Sequence, residues 1–469
     1  MPCTTLLVGK RASYDGSTII ARNEDSPNGE FTPKKLVVVK PEDQPRHYKS
    51  VLSHVEIELD EEPMRYTAVP NALLDEGIWA EAGVNTLNVA VSATETLTSN
   101  ERVLAADPLV RLQKAVGTPG EEGYQPEVAG GIGEEDMVTL VLPYATSARD
   151  GVRRLGALLD RYGTYEMNGI AFSDVDEIWW METVGGHHWI ARRVPDDCYV
   201  TMPNQLGIDA FDLADAEGEQ HECMASTDLR TWMARYHLDL TLREEGDSPD
   251  IFNPRSNTWD GPDADFRPED NDIPWCRMPE RKITMEDVKY ALSLHYQGTP
   301  FDPYSRRGTE VTRGMYRPIG INRNGQLAAM QLRPYASDET RALQWMAYGS
   351  NAFNALVPFF ANVDEVPAYL ENTTAQVTTE NFYWANRLIA AMADAHFGDC
   401  VADIERYQMK VGAQAGAVIN EATDGPAGEL AAANQRIADM LRRETDAVLA
   451  KVLYTASMGM QNGFARSDG

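Results

Sequence analysis

Residues 1–25 read MPCTTLLVGKRASYDGSTIIARNED and place a cysteine at position 3. The β-branched and apolar run CTTLLVG, the turn signal YDGS and the returning run TIIAR predict a β-hairpin with its turn at Asp15-Gly16. Because the strands of a hairpin run back past each other, we expect the segment from Arg22 to Asp25 beside Cys3. Cys3 is then either a small apolar residue at the head of a strand or a reactive thiol.

The composition indicates a folded and strongly acidic protein. The 469 residues are 43% hydrophobic, and this length allows one large domain or two to three ordinary ones. The 42 basic and 72 acidic residues give a net charge of −30, which repels phosphate backbones and anionic lipid headgroups. We therefore expect neither nucleic acid nor a membrane as a partner. The acidity favours solubility, or alternatively a cationic ligand such as the ammonium end of a peptide.

The first residues and the cysteines predict a cytoplasmic protein. The start of the chain contains only Leu6, Leu7 and Val8 as a contiguous apolar core, which is shorter than a secretion signal requires. The five cysteines contain no CxxC pair and are odd in number, which argues against a disulfide framework and a structural zinc site. They are Cys3, Cys198, Cys223, Cys276 and Cys400.

Strand and helix signals are mixed along the chain. KKLVVVK, VEIEL and NVAVSAT are strand-like, and residues 147–162 form an amphipathic helix that ends before Gly163. The short runs GIAFS, EIWWME, HWIARRV and CYVTM follow each other closely, which predicts an antiparallel meander. Helical signals dominate later, over 285–296, 379–397 and 428–458.

These signals predict one large domain over 3–469 with an α+β or layered α/β/β/α build. Within it, residues 253–279 are expected to form an acidic, Pro-rich surface excursion, and residues 379–458 to be mainly helical.

Motifs for metals and cofactors are absent from the sequence. GGIGEED (130–136) lacks the GxGxxG spacing, and its three carboxylates would repel a phosphate, so it predicts a plain loop. His187 and His188 are adjacent, which on a strand would place them on opposite faces and prevent them from sharing a metal. We expect no metal and no cofactor.

An N-terminal cysteine can carry out nucleophilic chemistry by itself. Met1 precedes the small residue Pro2 and is normally trimmed. If Pro2 is lost as well, Cys3 carries both a thiol and a free α-amine, whose pKa of about 7.7–8 lies below the thiol value of about 8.5. The amine can then act as the base for the thiol. Arg22 would lower the thiol pKa, and Asp25 would hold the α-ammonium. The alternative for Arg22 and Asp25 is a surface ion pair, but their place opposite a terminal cysteine favours the catalytic interpretation.

The runs CTTLLVG and DGSTIIARNED resemble the opening of the dipeptidase D family, cysteine peptidases of the N-terminal-nucleophile hydrolase superfamily. Bile salt hydrolases and penicillin V acylases are more distant relatives in that superfamily. The resemblance continues through GIWAEAGVNTLNVAVSATET, EIWWMETVGGHHWIARRVPDD, VTMPNQLGI and LSLHYQGTPFDPY, and so covers most of the chain. It implies a four-layer αββα sandwich with antiparallel sheets, the N-terminal-nucleophile hydrolase fold, with Cys3 on a central strand and additional C-terminal helices.

Carried over by position, the resemblance makes Cys3 the nucleophile, Arg22 its electrostatic partner and Asp25 the anchor of its amine. Asn204 in VTMPNQLG matches an asparagine that contributes to the oxyanion hole in the more distant relatives. The alternative for Asn204 is a turn residue after Pro203.

Further candidates follow from the same resemblance. Asn85 and Glu95 are expected to line the cleft, although strand burial also explains them. The acylases use an arginine from later in the chain, and Arg317 and Arg333 are both candidates. Pro2 departs from the family pattern, in which the cysteine often directly follows the initiator methionine or a propeptide. Either the Pro2–Cys3 bond is cleaved, for example by attack of Cys3 on the preceding carbonyl, or the enzyme works differently.

The sequence thus predicts a cytoplasmic dipeptidase that acts on small peptides through a thioester after removal of Met1-Pro2. Two alternatives stay open. The first is an acylase-type amide hydrolase of the same fold that acts on a non-peptide amide, and the second is a non-catalytic binding member of the fold. The sequence leaves the oligomeric state open, a homo-oligomer included.

Overall fold

The computed structural model describes residues 3–26, 30–75, 77–254, 273–423 and 427–461. Most of the predicted surface excursion, residues 255–272, lies outside these ranges, as do Met1 and Pro2. None of the helices within the described ranges has the length and apolar character needed to span a bilayer.

The described ranges contain both strands and helices, with eight strands before the first α-helix and mainly helices after the last strand. In chain order, the strands are β1 (Thr4–Val8), β2 (Thr18–Asp25), β3 (Val37–Val39), β4 (His47–Lys49), β5 (Glu56–Glu58), β6 (Tyr66–Ala68), β7 (Ala82–Val84), β8 (Ala90–Leu97), β9 (Met167–Ser173), β10 (Ile178–Thr183), β11 (Trp189–Arg193), β12 (Tyr199–Met202), β13 (Phe211–Asp212), β14 (Cys223–Ala225), β15 (Ile251–Phe252), β16 (Asn324–Leu332), β17 (Ala342–Tyr348) and β18 (Val357–Phe360). The helices are α1 (Glu101–Ala106), α2 (Glu134–Val141), α3 (Ala148–Tyr162), α4 (Leu213–Glu217), α5 (Leu229–Tyr236), α6 (Met285–Leu292), α7 (Ala368–Glu371), α8 (Phe382–Ala393), α9 (Phe397–Thr423) and α10 (Leu430–Met458).

The predicted N-terminal hairpin lies in the first of two six-stranded sheets. This sheet has the order β12-β1-β2-β16-β17-β18, and every neighbouring pair is antiparallel. Within the hairpin, Thr5 pairs with Arg22 and Thr4 with Asn23, which confirms that the chain returns to Cys3. β16 pairs with the other edge of β2, so β2 has a neighbouring strand on each side at the end near Cys3.

The second sheet has the order β14-β11-β10-β9-β8-β7 and is also antiparallel. It contains the first three strands of the predicted meander as β9, β10 and β11. The fourth run, CYVTM, was expected to continue this meander, and that prediction is wrong. β14 takes the place beside β11, and β12 crosses to the first sheet, where Tyr199 pairs with Val8.

The two sheets pack face to face through a common apolar core, which includes Leu7, Ile20, Trp180 and Met330. α6 covers the outer face of the first sheet, and α2 and α3 cover the outer face of the second. α9 and α10 pack against β18 at the edge of the first sheet. The protein is a mixed α and β structure with antiparallel sheets, as predicted.

Local signals place α3 correctly. The Ser147 hydroxyl accepts a hydrogen bond from the Asp150 backbone N–H at 3.1 Å and caps the first turn. Gly163 ends the helix with a φ of 68°, a conformation that a residue without a Cβ adopts at little cost.

Residues 324–360 depart from the expectation that helical signals dominate the second half of the chain. They form β16, β17 and β18, half of the first sheet. The sequences NGQLAAMQL and ALQWMAY are rich in Ala, Leu, Met and Gln, which favour helices in isolation. Burial between neighbouring strands overrides that preference.

Candidate active site

Cys3 directly precedes β1, and its thiol lies against the Arg22 guanidinium. Arg22 Nη2 is 3.0 Å from Cys3 Sγ, and Cys3 is only 2% exposed. This contact follows from the hairpin register, because Arg22 pairs directly with Thr5 in the adjacent strand.

Three buried carboxylates surround Arg22. Its Nη1 donates to Glu81 Oε2 and to the Ala93 carbonyl, and its Nη2 donates to Glu134 Oε1 at 2.7 Å. The Nε atom lies 4.0 Å from Glu95 Oε1. Burial disfavours the charge of Arg22, but the thiol and these carboxylates together raise its pKa above the usual value.

The three carboxylates come from separate parts of the second sheet and its covering helix. Glu81 directly precedes β7 and has a φ of 58°, a left-handed conformation that is uncommon for residues other than glycine. Glu95 is on β8, and Glu134 is the first residue of α2. Since β2 faces this sheet, its Arg22 side chain is held between them.

A second, fully buried cation extends the cluster. Lys34 Nζ lies 3.1 Å from Glu81 Oε1 and 3.5 Å from Glu24 Oε1. Burial raises the pKa of Glu24 to about 7, although Lys34 lowers it. Burial likewise raises the pKa of Glu134 to about 7, against the effect of Arg22. Both carboxyl groups therefore change charge near neutral pH.

Asn204 lies next to Cys3, as the oxyanion interpretation requires. Its Oδ1 accepts the Cys3 backbone N–H at 2.7 Å, and its Nδ2 donates to Glu95 Oε2 at 3.2 Å. Glu95 Oε1 accepts in turn from the Thr5 hydroxyl at 2.7 Å. Asn204 is therefore held between the chain start and a buried carboxylate, and its role as an oxyanion donor stays a prediction.

Asp25 is close to the thiol but makes its hydrogen bonds elsewhere. Its two oxygens accept from Arg317 Nη2 and Asn324 Nδ2, each at 2.5 Å. Its charge nevertheless raises the pKa of the Cys3 thiol, so it lies within electrostatic reach. The predicted contact of Asp25 with an α-ammonium stays a prediction, because the Cys3 nitrogen in this chain is still a peptide nitrogen.

The structure separates the two candidate arginines. Arg317 contacts Asp25 at the end of the first sheet that carries Cys3, and its side chain is 42% exposed. Arg333 follows β16 at the opposite end, where Leu332 pairs with Thr18. It donates there to the Thr340 carbonyl, so Arg317 is the arginine that the fold brings to this site.

Of the two residues expected to line the cleft, only Glu95 lies in the cluster around Cys3. Glu95 is part of the cluster around Arg22 and Asn204. Asn85 instead donates from Nδ2 to the carbonyls of Leu142 and Ala145, at 2.9 and 2.7 Å. Asn85 directly follows β7, and its hydrogen bonds therefore link the end of this edge strand to the loop after α2.

The thiol is neutral in this arrangement. Burial raises the pKa of Cys3 well above the usual value, Arg22 lowers it, and Glu95, Glu134 and Asp25 raise it further. The expected effect of Arg22 is therefore present, but burial and the carboxylates outweigh it while Met1 and Pro2 precede Cys3.

Sequence reasoning missed four members of the cluster, which are Glu24, Lys34, Glu81 and Glu134. GGIGEED was interpreted as a plain loop, but its acids begin α2 and are buried. Glu135 accepts from the Leu52 backbone N–H at 2.8 Å, and Asp136 accepts from the Tyr48 hydroxyl at 2.5 Å. Three acids at the start of a helix, directly before an apolar run, were the available signal.

The described ranges contain no group of three or more His, Cys, Asp and Glu side chains placed to hold a metal ion. His187 and His188 do not lie on opposite faces of a strand, because they precede β11. Their Nδ1 atoms both contact Asp107, at 3.1 and 2.7 Å. This carboxylate orients both rings at a distance from the Cys3 cluster.

Comparison with known proteins identifies the family of this chain. Residues 2–410 match the family model described as Peptidase family C69. The chain is 56% identical to a protein named "Dipeptidase" from Bifidobacterium longum (strain NCC 2705), over 100% of both chains. It is 51% identical to "Probable dipeptidase A" of Streptococcus pyogenes serotype M3 (strain SSI-1), again over 100% of both. It is 41% identical to "Dipeptidase A" of Lactobacillus helveticus, over 96% of each chain.

The chain belongs to peptidase family C69. It is therefore a hydrolase of the cysteine-type peptidase class, and the resemblance stated from its sequence is confirmed.

Proposed function

We propose that this peptidase is a dipeptidase whose nucleophile is Cys3, exposed as the N-terminal residue by removal of Met1-Pro2. The observation that carries the proposal is the 3.0 Å contact between the Cys3 thiol and the buried Arg22 guanidinium. The names of the C69 relatives support dipeptides as substrates. The two facing sheets, with α6 on one outer face and α3 on the other, support assignment to the N-terminal-nucleophile hydrolase fold.

The proposed reaction needs only groups of this chain and water. The Cys3 α-amine takes the thiol proton, and Sγ attacks the peptide carbonyl carbon of the substrate. Asn204 Nδ2 and backbone N–H groups stabilise the oxyanion. The resulting ammonium protonates the leaving amine as the C–N bond breaks, which leaves a thioester. Water then attacks the thioester and releases the acid and the free thiol.

Electrostatics favour a substrate with a free ammonium group. Glu24, Asp25, Glu81, Glu95 and Glu134 are buried around Cys3. The cations that contact them are Arg22, Lys34 and Arg317. Burial raises the pKa of Glu24, Glu95 and Glu134, and an ammonium group beside them would favour their ionised forms. This response supports a dipeptide over the alternative of a non-peptide acyl amide, whose acyl part carries no positive charge.

The proposal is tested by intact mass and by dipeptide hydrolysis. We expect a chain that has lost Met1-Pro2, and we expect Cys3→Ala to abolish hydrolysis of dipeptides. Cys198→Ala is the matched control, because Cys198 is also a free cysteine but precedes β12 outside the cluster. It should retain full activity.

Three outcomes would contradict this proposal in different ways. Full activity of Cys3→Ala excludes the nucleophile. Faster hydrolysis of N-acyl amides than of dipeptides favours the acylase alternative. A retained Pro2, together with no labelling of Cys3 by a thiol alkylator, favours the non-catalytic alternative.

A cytoplasmic location belongs to the same proposal. All five cysteines are free thiols in the structure. A reducing compartment would keep the proposed nucleophile in this state.

A further inference from the structure

Two of the five free cysteines differ from the others in their exposure. Cys198 and Cys276 are half-buried, whereas Cys3, Cys223 and Cys400 are buried. Cys198 directly precedes β12, and Cys276 lies in the segment before α6. A small oxidant can therefore reach these two thiols more readily than the other three.

A β-bridge brings the two half-buried cysteines together. In this antiparallel bridge the Tyr199 N–H donates to the Arg277 carbonyl at 2.8 Å, and the Arg277 N–H donates to the Tyr199 carbonyl at 2.9 Å. Cys198 and Cys276 each come one residue before a member of this pair. Because successive side chains alternate between the two faces of a strand, both cysteine side chains lie on the same face. They are therefore diagonal neighbours across the bridge.

The two thiols interact directly with each other. Burial, the Cys276 thiol and Asp197 together raise the pKa of Cys198 to about 12. Cys198 Sγ is 3.7 Å from Asp197 Oδ1. Burial also raises the pKa of Cys276, but the hydrogen bond with the Cys198 thiol and the charge of Arg192 lower it. Cys276 is therefore the thiol that ionises more readily, with Cys198 as its protonated neighbour.

Arg192 is held beside Cys276 by its own contacts. Its Cζ lies 5.2 Å from the centroid of the Trp275 ring, and its Nη1 is 3.1 Å from Asp209 Oδ1. Trp275 directly precedes Cys276, so the positive charge stays next to the thiol. Asp209 and Asp197 act on the Cys276 pKa in the opposite direction, but each less strongly than Arg192. A nearby cation is a common feature of cysteines that react as thiolates.

We propose that Cys198 and Cys276 are a redox-active pair, which small-molecule disulfides convert into a reversible disulfide bond. The Cys276 thiolate attacks one sulfur of the oxidant, which forms a mixed disulfide and releases one thiol. The Cys198 thiol then loses its proton and attacks the Cys276 sulfur, which closes the Cys198–Cys276 bond and releases the second thiol. Two protein thiols are oxidised, one small disulfide is reduced to two thiols, and these thiols carry the two protons. The reaction does not involve Cys3 and is independent of the function proposed for it.

The bond would join two segments close to the proposed nucleophile. β12 is the edge strand of the first sheet and pairs with β1, which begins directly after Cys3. The chain continues from β12 through Pro203 to Asn204, whose Oδ1 accepts the Cys3 N–H. A disulfide at Cys198 would therefore fasten the strand that leads to Asn204 to the segment around Cys276.

The test follows oxidation of the native full chain by glutathione disulfide at about pH 8. All chains carry Cys3→Ala, so that the proposed nucleophile cannot react. We expect the intact mass to fall by two hydrogen atoms, peptide mapping to find Cys198 bonded to Cys276, and dithiothreitol to restore the mass. Cys400→Ser is the matched control, since Cys400 is a buried free cysteine on α9, and it should oxidise like the parent chain.

Two further variants test the order of the steps. With Cys198→Ser, the mixed disulfide on Cys276 should accumulate, because the second thiol is missing. With Cys276→Ser, glutathione should add to Cys198 at least about tenfold more slowly, because Asp197 still disfavours the Cys198 thiolate.

The inference is overturned if the oxidised chain contains no bond between Cys198 and Cys276, or if this bond forms only after unfolding in urea. It is also overturned if either serine variant still loses two hydrogen atoms, or if glutathione adds to Cys198 as fast as to Cys276. Peptide mapping of the chain with both cysteines intact decides the matter even if both variants fail to fold.

Discussion

Replacing Arg22 with methionine should destabilise the protein in a strongly pH-dependent way. The change removes the charge that contacts Glu81 and Glu134 and lies 4.0 Å from Glu95. Removing one partner of a buried ion pair typically costs about 3–5 kcal/mol. Lys34 would still contact Glu81, but within the described ranges Glu134 and Glu95 form no ion pair with a cationic side chain other than Arg22.

The pH dependence follows from how the remaining carboxyl groups can respond. A carboxyl group that has lost Arg22 can stay buried by holding a proton, so its folded pKa rises above the unfolded value of about 4.3. Holding one such proton in the folded state lowers the free energy of unfolding by roughly 5 kcal/mol at pH 8 and by roughly 2 kcal/mol at pH 5.5. The raised pKa therefore lowers stability as pH rises. Because Glu134 has a pKa of about 7 even beside Arg22, the parent chain already shows part of this decline, and the loss caused by Arg22→Met should be roughly 1.5 kcal/mol larger at pH 8 than at pH 5.5.

Urea unfolding at pH 5.5 and pH 8, followed by tryptophan fluorescence, measures this difference. Arg149→Met is the matched control, because Arg149 Nε is 2.6 Å from Glu177 but its side chain is 26% exposed. Losing this partly exposed ion pair should lower the free energy of unfolding by less than Arg22→Met does, and by a similar amount at both pH values. The reasoning is refuted if Arg22→Met costs the same at both pH values, or no more than Arg149→Met at pH 8.

Three further predictions concern stability. Since burial raises the pKa of Glu24 to about 7, this carboxyl lowers stability as pH rises from about 4.5 to 7. Glu24→Gln should flatten the decline in melting temperature between pH 5 and 8, whereas the exposed Glu62→Gln should not, and an unchanged slope would contradict this. Gly412→Ala should stabilise α9 by up to about 1 kcal/mol, because a Cβ there meets open space. A Cβ on Gly83 would lie 1.7 Å from the Thr67 carbonyl oxygen, so Gly83→Ala should yield little folded protein by calorimetry.

Local sequence signals predicted the hairpin and the Cys3–Arg22 contact, because both depend on residues within one short segment. The Asp15-Gly16 turn fixes which residues meet across β1 and β2. No local pattern could show that Glu81 and Glu134 also reach Arg22, since they come from segments 59 and 112 residues away. Acidic residues are usually exposed, so residue type alone would have placed Glu81 and Glu134 at the surface, whereas both are buried.

The strands of the first sheet show the same limit at the level of the fold. β1 and β2 have β-branched residues and a strong turn signal, and the sequence predicted them. β16 and β17 are buried central strands built from helix-favouring residues, so their strand conformation depends on the neighbours they pair with. β12 was predicted as a strand, but its partner β1 lies almost 200 residues earlier, and the adjacent runs suggested a different sheet.

The carboxylates around Cys3 connect the state of the chain start to the state of the thiol. While Pro2 is attached, the Cys3 nitrogen is uncharged and donates to Asn204, and burial with Glu95, Glu134 and Asp25 keeps the thiol pKa high. Release of the amine would add a positive charge next to the same groups. That charge would lower the pKa of both the thiol and Glu95, because each would then be ionised beside a cation. Burial, aided by these carboxylates, keeps the unprocessed thiol neutral, and the carboxylates would stabilise the ammonium formed by the proposed processing. Loss of Pro2 would in this way change the electrostatics of the nucleophile as well as its accessibility.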